Sequence, residues 1–299
     1  MTRMGRHYHD WQRQECAAHS RNSRLRFWCK MISSTFFFLF SQLGVGMLLT
    51  LLFISPRSIG NSFFKFASLT AAILLGVTLG FNFLFPSPVR ESQLPVFFLA
   101  ASALLTAIYN RVVDVNKFTA AFVLLICATA TGLISVATDS LAFTRLMTLG
   151  GWENWMLLLN HLAATALLGS VMLTMVFGHW YLVIPKLSID PLKLLTKVLI
   201  GTIAIRALTI LVSLIVLQME QTIPLGAVLR ELMVRQGIFF WPRIIFGVLV
   251  PVILAAMIWS TIQIRHTQAA TGLLYLAVVA LLFGEFFSKF LLFAVSIPL

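Results

Sequence analysis

Eight blocks of apolar sequence, several of them close to the length a helix needs to cross a hydrocarbon layer (about 20 residues), constrain this chain more than any other feature. They lie near 34–54, 65–85, 94–110, 118–138, 156–184, 194–217, 244–264 and 271–296, separated by prolines, charges and short polar clusters. With 59% hydrophobic and only 11% charged residues, the chain lacks the polar side chains to cover a water-facing surface. None of the blocks shows the ten-residue alternation of a membrane β-barrel, so the expected fold is all-α, a polytopic transmembrane helix bundle. The third block, at 17 residues, is the shortest, and the count of eight depends on it.

An even count puts both termini on one side. Residues 1–30 hold seven Lys or Arg (Arg3, Arg6, Arg13, Arg21, Arg24, Arg26, Lys30) against Asp10 and Glu15, a net of +5 out of a whole-chain +12. The positive-inside rule then predicts cytoplasmic N- and C-termini, in a bacterial cytoplasmic membrane. The charge reads as membrane topology, with the lipid bilayer and other membrane subunits as partners and no nucleic acid. Arg111, Lys117, Lys186 and Lys193 fall on the other side, so orientation rests on the tail. The domain division is a basic tail over 1–33 and a membrane domain over 34–299. The tail differs in composition from the rest, and Met31 at the start of the first block is expected to be the true initiator. The first block is too long for a signal-peptide core and reads as an uncleaved anchor.

Two connecting segments have a pattern of their own. Over 222–236, Leu225, Val228, Leu229, Leu232 and Met233 recur at helical spacing opposite Arg230, Glu231, Arg235 and Gln236, which predicts an interfacial amphipathic helix. Trp152 and Trp155, before the fifth block, are placed as headgroup-level anchors. Gly76 and Gly80 form a GxxxG pair that predicts close helix contact in the second block.

Candidate chemistry lies in the few polar side chains within the blocks. His161 and His179 are separated by 18 residues, five helical turns, and so share a face about 27 Å apart. His266, which follows the seventh block, falls at the level of His179, and two facing imidazoles are what a b-type haem needs. His161, His179 and His266 are therefore candidate cofactor-binding residues, for haem b or a quinone. At mid-depth, Arg206 and Glu285 fall at the same level on two helices that run in the same direction, which predicts an intramembrane charge pair, with Lys289 one turn from Glu285. Arg243 is expected to approach His161 near the inner boundary, and Pro251 is expected to kink the seventh helix or free a carbonyl.

Cys16, Cys29 and Cys127 form no disulfide framework or metal-ligand spacing, and no metal site is expected. No phosphate-binding loop, nucleophile elbow or HExxH motif is present, which disfavours nucleotide motors, serine hydrolases of that type and zincins, and leaves open whether the chain is an enzyme. Three functions remain: a redox or quinone-associated subunit, suggested by the histidines; a proton- or ion-coupled small-solute transporter, suggested by Arg206 and Glu285; and an assembly subunit. The strings Gly178–Leu182 and Thr267–Tyr275 are distinctive and are assigned no activity.

Overall fold

A computed structural model describes residues 33–54, 59–85, 92–113, 118–146, 152–184, 187–220 and 237–295, together with the isolated positions 226, 230, 233 and 234. The described regular structure is helical and contains eight helices long and apolar enough to cross a membrane. They are α1 (Ser33–Leu51), α2 (Asn61–Leu84), α3 (Leu94–Val112), α4 (Phe118–Leu146), α5 (Trp152–Val183), α6 (Asp190–Glu220), α7 (Gly237–Gln263) and α8 (Thr267–Val295). The chain is a multi-pass membrane protein. Several helices run past the apolar blocks by a turn or more, because a helix that leaves the hydrocarbon has no reason to stop there. The third block forms a 19-residue helix with Pro95 in its first turn, where the missing N–H costs no hydrogen bond. The amphipathic pattern over 222–236 and the basic tail lie outside the described residues, apart from those isolated positions.

The Ser33 hydroxyl donates to the Phe85 carbonyl at 2.6 Å, joining the start of α1 to the end of α2. That end of the bundle, here the Ser33 face, therefore also carries the starts of α3, α5 and α7 and the ends of α4, α6 and α8. α2, α3 and α4 pack side by side, as do α6, α7 and α8, and α5 touches members of both groups. α1 is the central helix, with 83% of its apolar window buried, against 28% for α2, α3 and α7. The Phe, Leu and Val of α1 read the same in lipid as in a protein interior, so they do not reveal that it is central rather than a peripheral anchor.

Glycine decides how close the central helices come. A Cβ on Gly46 would strike the Thr165 carbonyl and the backbone of Gly169, and one on Gly169 would strike the backbone of Gly46, so α1 and α5 cross in backbone contact. Gly247 of α7 and Gly284 of α8 form a second crossing of this kind. The GxxxG pair of α2 does not behave as its spacing suggests. Gly76 and Gly80 are exposed, with nothing near the position of a Cβ.

α7 changes pitch along its length. Between the α-helical stretches Gly237–Ile244 and Val250–Gln263, residues Ile245–Leu249 form a wider π-turn. Pro251 explains the change: it has no N–H for the carbonyl four residues back, and its ring would press on that carbonyl. The wide turn relieves both problems, and the Val250 N–H reaches back to the Ile245 carbonyl.

Candidate functional site

Four ionisable side chains meet in the interior of the bundle. Arg206, Arg243, Glu285 and Lys289 are all at most 2% exposed. A charge at that depth costs about 2.5–3.5 kcal/mol on insertion scales, so four together need specific partners.

Glu285 is the hub. Arg206 donates to it through both arms of its fork, Nε to Oε1 at 2.9 Å and Nη2 to Oε2 at 3.1 Å, a bidentate geometry that only arginine offers a carboxylate. Arg243 Nη1 lies 3.2 Å from Oε1, and Lys289 Nζ, one helical turn on, lies 3.9 Å from Oε2. The remaining donors of Arg206 are also used: Nη1 donates to Asn160 Oδ1 and, at 3.4 Å, to its carbonyl, while Nη2 reaches Ser288 Oγ at 3.3 Å. Asn160 Nδ2 in turn donates to Ser213 Oγ at 2.7 Å. α5, α6, α7 and α8 are thus tied through one carboxylate and one amide.

Arg243 differs. Its three guanidinium nitrogens are buried, and none has a hydrogen-bond partner among the described residues. The 3.2 Å approach to Glu285 is an ion-pair distance without hydrogen-bond alignment. Its guanidinium lies over Gly247, where a Cβ would collide with Nη1, so the missing side chain makes the space it occupies. Sequence position alone pairs Arg243 with His161. The structure instead turns it along its own helix toward Glu285, because the wide turn and the Gly247–Gly284 crossing bring α8 against that face.

His161 faces α1 and α4. Its Nδ1 lies 2.9 Å from Ser140 Oγ, and Phe38 stacks on its ring at 4.7 Å between centroids. Its carbonyl accepts from Gln42 Nε2 at 3.3 Å and from Thr165 Oγ1 at 2.8 Å. Nε2 of the ring and Oε1 of Gln42 are buried without partners. The two sites adjoin across Phe38, since Lys289 Nζ lies 5.9 Å from the centre of that ring.

His179 is exposed near the opposite face, and its Nδ1 lies 3.2 Å from the Tyr275 hydroxyl of α8. Trp180 beside it packs on Phe63 and Phe66 of α2. His266 is exposed in the turn before α8, where its carbonyl accepts from the Ala270 N–H. The structure therefore does not gather the three histidines: one is sealed in the interior, one meets a tyrosine and one caps a turn. Among the described residues, no three His, Cys, Asp or Glu side chains group as metal ligands. The distinctive strings Gly178–Leu182 and Thr267–Tyr275 pack on each other, with Gly178 against Thr271 and Leu274 and His179 against Tyr275.

Asn160 joins the cluster without being ionisable, and its only mark in the sequence is that it is polar one turn inside the fifth block; Arg243 lies with Glu285 and not with His161. Comparison with protein-family models and with curated proteins matches this chain to none of them.

Proposed function

We propose that this multi-pass membrane protein is a carrier for a small polar solute, with the cluster around Glu285 as its central site. The observation that carries the reading is that four charges from three helices, backed by Asn160 of a fourth, are buried together. A single Arg–Glu pair is enough to fasten two helices; adding Arg243 and Lys289 raises the desolvation cost without fastening another helix that packing does not already hold. Wide turns such as Ile245–Leu249 are common at functional sites, and this one adjoins the cluster. The redox reading has less support, because His161 is taken up by Ser140 and Phe38 and His179 by Tyr275.

Uptake of labelled small solutes into proteoliposomes tests the proposal, with a panel of anionic, neutral and cationic compounds. At least one is expected to accumulate above protein-free vesicles, with Asn160→Ala lowering its rate at least tenfold and Ser102→Ala, on a distant helix seam, leaving it within twofold. Uptake equal to protein-free vesicles across the panel would sink the reading.

A further inference from the structure

Among the described residues the cluster does not balance its own charge. Three cations surround one carboxylate there, an excess of two positive charges. Counting Asp139, the other buried carboxylate among the described residues, still leaves an excess of one. Arg206 spends its fork on Glu285, Asn160 and Ser288, but the Arg243 guanidinium is fully buried and makes no hydrogen bond among the described residues. A buried guanidinium in this state loses its hydration and has the 3.2 Å ion pair to Glu285 without hydrogen-bond alignment, and each unsatisfied group costs about 1–3 kcal/mol, more when charged.

We propose that Arg243 is the ligand of a site for a small anion bearing a carboxylate or phosphate group, which supplies both the missing negative charge and the acceptors for the guanidinium fork. The proposal rests on the carrier reading for the fate of the ligand, as cargo, whereas binding is measured separately. Lys289 adds a second positive charge beside Glu285, and Gly247 provides the space in which the guanidinium lies. Glu285 is then an internal competitor: it holds Arg243 at ion-pair distance until an anion with better geometry arrives. Pro242 and Arg243 lie within two turns of the start of α7.

The test uses the purified full chain in lipid nanodiscs and titrates acetate, succinate and inorganic phosphate against acetamide and succinamide at constant ionic strength, following thermal unfolding and heat of binding. At least one anion is expected to bind saturably while its amide does not. Arg243→Gln is expected to weaken that anion at least tenfold, with partial recovery in Arg243→Lys, which keeps the charge and loses the fork. Glu285→Gln is expected to tighten it several-fold by removing the competitor. If Arg243→Gln fails to fold, wild type against Arg243→Lys gives the same answer: equal affinities overturn the proposal. So do amides binding as well as acids, or no saturable anion binding. Saturable binding without uptake leaves the anion site standing and removes the carrier reading.

Discussion

The α3–α4 seam and the α5–α8 centre both hold polar groups inside a membrane bundle, by different means. On the seam the groups are hydroxyls. Ser102 Oγ donates to the Ala128 carbonyl at 2.7 Å, Ser135 Oγ to the Pro95 carbonyl at 2.6 Å, and Thr106 back to the Ser102 carbonyl at 2.7 Å. Each is neutral, satisfied at once and short enough to let the helices close. In the centre the groups are charges, tied through one carboxylate, with one guanidinium held by an ion pair that lacks hydrogen-bond alignment. The seam shows that this sequence can fasten helices with small neutral groups. The charges in the centre therefore call for a reason other than fastening.

The largest effect that separates the two regions is expected at Glu285. Removing the carboxylate leaves three buried cations without their counter-ion, and breaking a buried pair in this way costs about 3–5 kcal/mol. Glu285→Gln is expected to lower the unfolding midpoint strongly in bilayers or mild detergent, and Arg206→Gln added to it to return part of the loss, so the two changes are non-additive. A single-variant cost below about 1 kcal/mol, the scale of one hydrogen bond, would make the centre equivalent to the seam.

Next comes Gly284→Ala. The added Cβ meets the backbone of Gly247, so α8 must move away from α7 or the wide turn must shift, at about 1–3 kcal/mol for overpacking. Because Gly247 also bears the Arg243 guanidinium, this variant is expected to change the anion titration as well as stability. Ser102→Ala, on the seam, removes one hydroxyl bond and is expected to cost about 1 kcal/mol with no effect on uptake.

What could be read from the sequence follows this division. The spans were legible because lipid demands long apolar helices whatever the packing between them. Arg206 and Glu285 were legible as neighbours in depth because parallel helices carry equal residue counts to equal depth, and their side chains lie in contact. Arg243 was not, since its depth agrees with His161 as well as with the cluster, and only the Gly247–Gly284 crossing turns it toward Glu285. The central position of α1 was hidden because Phe, Leu and Val serve equally against lipid and against protein. Gly46 and Gly169 hold that helix in place, yet single glycines without a partner motif carry no visible signal.

The smallest expected effect is at Gly76 and Gly80, and it separates spacing from structure. A GxxxG motif that held two helices together would be broken by one added methyl. Here both glycines are exposed and a Cβ would meet nothing within 4 Å, so alanine introduces no clash. Alanine also restricts the backbone where glycine does not, which favours a helix by about 1 kcal/mol in water and by less in a lipid-facing span. Gly76→Ala and Gly80→Ala are therefore expected to leave the unfolding midpoint unchanged or slightly raised, whereas the same change at Gly169, against the Gly46 backbone, lowers it sharply. A loss at Gly76 comparable to that at Gly169 would mean that α2 contacts a second protein or another copy of this chain through that face. The lipid-facing side of the α2–α4 group would then be an interface and not a boundary with the bilayer.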